Sequence, residues 1–429
     1  MENTGTLRKT SISNGLRVLT KHMPGNYSVG ISVFVGVGSR YESPKYAGIS
    51  HFIEHLVFKG TPSRPSSMEV SFAVESLGGI INAATEQELT VYWSKVGQQH
   101  MGETIGLLID MIRNSLYDPF EIEIERKVII EEQAMLNDDP DYRVEALMDE
   151  ILWKNHPLGM DIAGTKESVL DITREMILNH VNQFYSPSNI VIVVAGEVDH
   201  DDVVRKVDKF CDGWISYDVP KFTQFFENQN KPRIKLEYKK AEQAHISVGV
   251  PGFSIFHPDR YVLDLLSVVL GEGMSSRLFL EVREKMGLAY DIHSSVTHFS
   301  DCGALVINAG VDPKQVYAAL DTILDQVNLL REEITDDELH RAKQLSTGTL
   351  LMRMEDTREV SSWVGVQELI LGGVCDVDQL ISTISAVTSD DLKRVADNIL
   401  CDSKLNLAVV GPYRGDSRFK KSLFASSAE

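Results

Sequence analysis

The stretch His51-Phe52-Ile53-Glu54-His55 decides how the rest of this 429-residue chain is interpreted. On a helix of about 3.6 residues per turn, the two histidines lie one turn apart on the same face, and Glu54 borders that face. Two neutral imidazoles can bind one Zn²⁺, and a neighbouring carboxylate can take a proton from a water that the metal activates. The surrounding segment 49–58 is mainly apolar. We therefore predict a largely buried, metal-binding helix over residues 48–59.

The alternative interpretation of this stretch is structural. A histidine on an apolar helix face is more often a core residue with satisfied hydrogen bonds than a metal ligand. Here, however, two histidines and a glutamate fall at ligand spacing, with no other charge before Lys59. A buried carboxylate without a partner is costly, and a neighbouring cation removes that cost. The pattern favours a metal site of the inverted zincin type.

Composition and charge exclude several classes of protein. A chain of 429 residues is long enough for two or more domains of roughly 150 residues. The net charge of −20 disfavours a nucleic-acid partner, and no run approaches the ~20 apolar residues of a membrane span. Residues 1–5 lack the basic and apolar segments of a secretory signal. The four cysteines are far apart, which is typical of a reducing compartment.

The sequence repeats itself at a constant offset. Ile-Ser-Val at 31–33 recurs at 246–248, and the strand-like segment 190–196 is echoed at 405–411. Both 246 − 31 and 411 − 196 give 215. Chance similarity of strand-like segments is the alternative, but a common offset at both ends favours a duplicated domain.

The repeat also indicates which copy can hold a metal. Pro44 falls near Pro258, at an offset of 214. In this register the second copy has apolar residues where the first has the metal motif. The residues that replace His51, Glu54 and His55 are Leu265, Val268 and Val269.

Two histidines leave a catalytic zinc site incomplete, because such sites use three protein ligands. The predicted helix 121–136 is rich in carboxylates, and a solvated acidic face is the simplest explanation for them. Spacing alone does not choose a ligand. Glu125 and Glu132 lie two turns apart on one face, whereas Glu131 points well away from Glu125. A ligand and a supporting acid on one face would be this pair.

The motif His51-x-x-Glu54-His55, followed by the sequence ERKVIIEE at 125–132, resembles the pitrilysin-type (insulinase-like) zinc peptidases of family M16. This resemblance identifies Glu132 as the third zinc ligand and Glu125 as the family's additional acidic residue near the site. It covers nearly the whole chain, and the length is that of the short subfamily, which includes bacterial processing peptidases and the β-subunit of the mitochondrial processing peptidase. Other matching segments are 58–61, 79–83, 194–198, 273–278 and 283–290.

The resemblance implies an α+β fold of two homologous α/β sandwich domains, each a mostly antiparallel sheet with helices on one face. We assign the N-terminal zinc-binding domain to residues 1–220 and a linker to 221–232, where the chain is polar and contains proline. The C-terminal domain, at 233–429, is expected to have no metal site.

The resemblance also assigns residues to the substrate. Arg283 and Tyr290 match the family's Arg/Tyr pair, which holds the substrate backbone, stabilises the oxyanion and reaches the zinc of the partner chain. Without the resemblance, a surface arginine and a packing tyrosine would be the simpler explanation. Asn82 and Ala83 match the edge strand to which an extended peptide adds. Phe58, in the matching segment after the metal helix, is assigned to substrate binding as well.

The function implied is that of a zinc-dependent metalloendopeptidase with one Zn²⁺ per chain and Glu54 as general base. It would cleave unfolded peptides or presequences inside a homodimeric chamber. The loop 270–273 reads Leu-Gly-Glu-Gly where relatives often have three glycines, and the long glycine-rich insertion of the processing α-subunit is missing. A general peptidase is therefore as well supported as a presequence processor.

Two further expectations complete this interpretation. The alternative function is that of a non-catalytic structural subunit, which the intact zinc motif disfavours. We expect a bacterial cytoplasmic protein, or a mitochondrial matrix protein if a presequence has been removed, that binds neither nucleic acid nor a membrane.

Overall fold

The computed structural model describes residues 6–425, which form two compact units. The residues in which a secretory signal was sought, 1–5, lie outside the described range. Each compact unit is assembled from three separate segments of the chain, so the units do not coincide with the predicted domains. The domain boundaries at 220 and 233 stay a prediction. Within the described residues, the first unit contains 6–133, Met160–Thr223 and Leu351–Cys375, and the second contains Ala134–Gly159, Gln224–Leu350 and 376–425.

Eleven strands and fifteen α-helices make up the regular structure of the described residues. The strands are β1 (Leu7–Ser11), β2 (Arg17–His22), β3 (Ser28–Val35), β4 (Ile80–Thr85), β5 (Thr90–Gly97), β6 (Ile190–Gly196), β7 (Arg233–Tyr238), β8 (Ala244–Gly252), β9 (Ala289–His298), β10 (Gly303–Val311) and β11 (Asn406–Gly411). The helices are α1 (Ile49–Val57), α2 (Ser67–Glu75), α3 (Met101–Asn114), α4 (Pro119–Asp138), α5 (Pro140–Leu152), α6 (Lys166–Asp171), α7 (Arg174–Phe184), α8 (His200–Phe210), α9 (Arg260–Gly271), α10 (Val316–Glu332), α11 (Asp336–Arg353), α12 (Thr357–Leu371), α13 (Val377–Ala386), α14 (Ser389–Ile399) and α15 (Ser417–Ala425).

The sheet of the first unit has the strand order β1-β2-β6-β3-β5-β4. Only the β2–β6 pair is parallel, and the other neighbours are antiparallel. Its central strand β6 is a run of Ile, Val and Ala that is buried along its whole length, as expected for a strand covered on both faces. One face packs on α1 and α3, and the other face packs on α12.

Helix α12 approaches the sheet unusually closely, because small residues stand at the contact. A Cβ atom on Gly365 would lie 1.9 Å from a ring carbon of Phe34 in β3. A Cβ atom on Gly30 would lie 2.4 Å from the carbonyl oxygen of Thr357. The two glycines therefore allow a helix from late in the sequence to complete the first unit.

The sheet of the second unit has the order β7-β11-β8-β10-β9, with β7 and β11 parallel. Strand for strand this repeats β2-β6-β3-β5-β4 of the first unit, including the one parallel pair. Helix α5 covers the β11 side of this sheet with Val144, Leu147 and Met148. The predicted α+β fold of two duplicated, mostly antiparallel sheets is confirmed. The expectation of helices on one face is wrong for the first sheet, because the late helix α12 packs on the face opposite to α1 and α3.

The helix α9 occupies the position in the second copy that α1 occupies in the first. Its Leu265, Val268 and Val269 are 1%, 8% and 1% exposed, so the second copy fills this place with core side chains. None of the helices within residues 6–425 combines the length and the apolar character that a membrane span requires. The cellular location stays a prediction.

Candidate metal centre

Helix α1 presents both histidines of the motif on one half-buried face. The Nε2 atoms of His51 and His55 lie 3.2 Å apart. Zinc–nitrogen bonds of about 2.0–2.1 Å in a tetrahedral site place two nitrogen ligands about 3.3 Å apart, so the separation suits one ion. The opposite face of α1 anchors the helix in the core through Phe52, Ile53, Leu56 and Val57.

The third ligand comes from α4. The Oε2 atom of Glu132 lies 3.6 Å from Nε2 of His55 and 3.9 Å from Nε2 of His51. Within the described residues, this is the one group of three such side chains whose ligand atoms lie within 4.8 Å of one another. The neighbouring Glu131 is exposed. Two imidazole nitrogens and one carboxylate oxygen are a donor set that catalytic zinc sites use, so these residues fit the metal that the sequence implied.

Glu125 lies behind His55 and controls which of its nitrogens carries a proton. Nδ1 of His55 donates to Oε2 of Glu125 at 3.1 Å, and Nζ of Lys59 donates to Oε1 at 2.5 Å. Burial raises the pKa of Glu125, but the bonds from His55 and Lys59 outweigh it and leave the pKa below its usual value. The charged carboxylate holds the Nδ1–H tautomer, so the lone pair of Nε2 faces the site.

His51 is neutral at ordinary pH. Burial, reinforced by the nearby His55, lowers its pKa to about 4, so the imidazole keeps a lone pair for a metal. Its Nδ1 atom is buried and has no hydrogen-bond partner among residues 6–425. At neutral pH His51 therefore has no positive charge that would repel a divalent ion.

Glu54 lies beside the ligands and is held by the end of an edge strand. The hydroxyl of Thr85, the last residue of β4, donates to Oε2 of Glu54 at 2.6 Å. Burial raises the pKa of Glu54, and the charge of Glu132 adds to this, while the bond from Thr85 opposes it. A carboxylate with a raised pKa accepts a proton more readily than an exposed one.

Strand β4 ends the sheet of the first unit, so its outer edge faces no other strand among the described residues. Asn82 and Ala83 lie on this edge strand, and the Ala83 N–H donates to Oδ1 of Asn82 at 2.8 Å. The same strand leads directly to Thr85 and so to Glu54. Phe58 follows α1 and is half-buried against the core of the first unit.

Arg283 and Tyr290 belong to the second unit, where the fold brings them together. Arg283 lies in a π-helix, Phe279–Lys285. Its guanidinium is 5.4 Å from the centre of the Tyr290 ring, which is 78% exposed. Two residues seven apart would share a face if both were helical, but Tyr290 lies in β9. The turn at Gly287 (φ +61°) makes the contact instead.

Three supporting residues were not found from the sequence. Lys59 follows His55 by four residues, and this spacing on one helix was a usable signal. Thr85 and Glu42, which accepts hydrogen bonds from the amino end of α1, carry no local signal. Both act on α1 from other segments of the chain.

Comparisons with known proteins place the chain in a family. The family model described as insulinase (peptidase family M16) matches residues 17–166, and that of the peptidase M16 inactive domain matches residues 171–346. An uncharacterized zinc protease of Streptomyces coelicolor is 35% identical over 417 residues, covering 96% of this chain and 90% of the relative. The uncharacterized zinc protease YmxG of Bacillus subtilis is 34% identical over 409 residues, or 95% and 98% of the two chains. A protease structure from Helicobacter pylori shares the fold, with a TM-score of 0.90 at 23% identity over 96% of this chain and 100% of that one.

Proposed function

We propose that this chain, which belongs to the insulinase family of peptidases (M16), is a zinc-dependent metalloendopeptidase that binds one Zn²⁺. The observation that carries the proposal is the convergence of His51, His55 and Glu132 on one point. The names of the relatives, zinc proteases, support it. The match of the second half to an inactive domain agrees with a single site in each chain.

The chemistry follows from the residues around that point. Zn²⁺ held there supplies Lewis acidity, which polarises the scissile carbonyl and makes a water nucleophilic near neutral pH. Glu54 accepts the proton of the attacking water and delivers it to the leaving amine. The Thr85 hydroxyl holds one oxygen of Glu54 and leaves the other available for this transfer. Glu125 acts through His55, so we assign it a positioning role.

The edge of β4 supports an extended peptide as substrate. A peptide that adds to this edge is held by main-chain hydrogen bonds, which only an unfolded segment can offer. The Ala83 N–H must then leave the side chain of Asn82 and donate to the substrate instead. Because β4 ends at Thr85, a strand bound there runs towards Glu54. The assignment of Phe58 to substrate binding rests on the family resemblance.

The assembly we propose is a homodimer with a closed chamber in which Arg283 and Tyr290 of one chain serve the zinc site of the other. Its support is the family resemblance and the pairing of the half-buried Arg283 with the exposed Tyr290. Mixing Glu54→Gln protein with Arg283→Ala protein tests it. Activity that recovers on mixing means shared sites, whereas two inactive variants that stay inactive when mixed argue against sharing.

A matched pair of variants tests the zinc site itself. Glu132→Gln should lose zinc and peptide cleavage, while Glu131→Gln, one residue away and exposed, should keep both. Glu54→Gln should keep about one zinc per chain and lose turnover by roughly 10²–10⁴-fold, the usual contribution of a general base. Zinc is measured by elemental analysis, and cleavage of unfolded peptides by mass spectrometry with and without a chelator. Wild-type cleavage by Glu54→Gln would refute the mechanism.

The same zinc measurement addresses the non-catalytic alternative. A structural subunit needs no metal, so wild-type protein without zinc and without cleavage would favour it. One equivalent of zinc together with chelator-sensitive cleavage favours the enzyme.

A further inference from the structure

The amino end of α1 is closed by a side chain from outside the helix. Oε2 of Glu42 accepts the N–H of Gly48 at 2.6 Å, and Oε1 accepts the N–H of Ser50 at 2.8 Å. Glu42 is only 4% exposed. It therefore satisfies two of the N–H groups that the first turn of a helix leaves without partners.

Residue 48 is the N-cap of α1, and its own side chain cannot accept these hydrogen bonds because it has to be glycine. Gly48 has φ +91°, and a Cβ atom there would lie 2.5 Å from the carbonyl oxygen of Ala163. The usual caps, Ser, Thr, Asp and Asn, supply their oxygen from this position. The acceptor must come from elsewhere, and Glu42 supplies it from six residues upstream.

The first turn of α1 matters because it carries a ligand. His51 directly follows Ser50, whose N–H is held by Glu42, and it is only the third residue of the nine-residue helix. Terminal turns are the part of a helix that frays. A first turn that frays would move Nε2 of His51 away from Nε2 of His55, to which it is 3.2 Å.

The hydroxyl of the same serine has a second anchor. It lies 3.3 Å from Nε2 of His180 on α7. Burial lowers the pKa of His180 to about 3, so the ring is neutral and can accept a hydrogen bond. Ser50 is thus held from its main chain by Glu42 and from its side chain by His180.

We infer that Glu42 is a positioning residue for the zinc site: it preforms the first turn of α1 so that His51 is in place before the metal binds. This inference rests on the proposed zinc site and adds a residue that contacts neither metal nor substrate. Burying a charged carboxylate costs free energy. This cost raises the pKa of Glu42 to about 8, although the hydrogen bonds from Ser50 and Gly48 lower it. A buried, hydrogen-bonded side chain of this kind is suited to fixing the position of the turn that carries His51.

The test compares two variants that each weaken one helix cap in the first unit. Glu42→Gln keeps the size of the side chain, but its NH₂ group faces a backbone N–H. Asp199→Ala removes the side-chain cap of α8, where Asp199 accepts the N–H of Asp202 at 2.8 Å and no metal ligand is carried. Zinc affinity is measured by competition with a chromophoric chelator, and ligand geometry by the absorption spectrum of the Co²⁺-substituted protein.

Glu42→Gln should weaken zinc binding about tenfold or more, as the loss of an outer positioning partner does, and alter the cobalt spectrum. Asp199→Ala should leave both at wild-type values even though it lowers the melting temperature. A Glu42→Gln protein with wild-type zinc affinity and cobalt spectrum overturns the inference while leaving the proposed zinc site intact. Wild-type protein that binds neither ion would instead refute the proposed function.

If Glu42→Gln does not fold, hydrogen exchange of the wild-type protein tests the inference instead. In the metal-free protein, the amides of Gly48 and Ser50, which Glu42 accepts, should already exchange as slowly as those of the second turn of α1. Fast exchange that slows only when zinc is added would show that the metal, not Glu42, orders the first turn, and would overturn the inference.

Discussion

Replacing Glu125 with glutamine should weaken zinc binding without changing any ligand. The two oxygens of Glu125 accept from two different donors, Nδ1 of His55 at 3.1 Å and Nζ of Lys59 at 2.5 Å. A glutamine has one acceptor and one donor at its end. In either orientation, therefore, one of the two contacts becomes donor against donor, and no cavity is created because the volume is unchanged.

The magnitude follows from the role of the contact. Loss of the carboxylate that holds a ligating histidine typically costs 10–100-fold in metal affinity, which is about 1.4–2.7 kcal/mol. The site of this chain belongs in that range, because Glu125 is 4% exposed and water cannot easily replace it. The positive charge of Lys59 would then have no carboxylate beside it and would repel the metal ion, which lowers the zinc affinity further.

Chelator competition at constant pH gives the affinity, and Glu131→Gln on the same helix is the control. At saturating zinc, the Glu125→Gln enzyme should recover much of its activity, because the three ligands and Glu54 are intact. An unchanged zinc affinity would refute the view that Glu125 fixes the tautomer of His55. A complete loss of activity at full zinc occupancy would instead mean that Glu125 takes part in the chemistry.

Three other perturbations have definite expected results. The His51 ring should cost the metal-free protein up to about 3 kcal/mol of stability as the pH falls from about 6.5 to about 4, because it binds a proton in the unfolded chain before it does so in the folded one. Denaturant titrations should show that His51→Asn removes this contribution and leaves that of His180, whose pKa is lowered to about 3. Thr85→Val should lower kcat roughly tenfold, with zinc content unchanged, because Glu54 loses its donor. Gly365→Ala should destabilise the protein by about 1–3 kcal/mol in the same assay without altering zinc affinity, since its Cβ would meet Phe34.

Much of the site was predictable because it depends on local periodicity. Helix α1 spans Ile49–Val57 where residues 48–59 were predicted, and the i, i+4 spacing alone places both histidines on one face. The same periodicity put Glu125 and Glu132 on one face of α4. It did not show that α4 lies against α1, and the choice of Glu132 over other acids needed the family resemblance. In the structure, Oε2 of Glu132 lies 3.6 Å from Nε2 of His55.

The contacts that tune the site were not predictable in this way. Thr85 reaches Glu54 across 31 residues of sequence, and Glu42 reaches the start of α1 from an irregular segment that contains no ligand. Arg283 and Tyr290 meet through a turn between a π-helix and a strand, which their spacing in the sequence does not indicate. In each case the tertiary fold, and not the local sequence, determines which residues are in contact.

The sequence by itself determined the elements, the repeat and the side chains available to a metal, because helix and strand periods act between residues a few positions apart. Only the tertiary structure decided that α12 covers the first sheet, that Glu132 faces the histidines, and that side chains from other segments hold Glu54, His55 and the first turn of α1 in place. These depend on packing between segments far apart in the chain, where shape and burial of the whole unit, and not local pattern, select the contact.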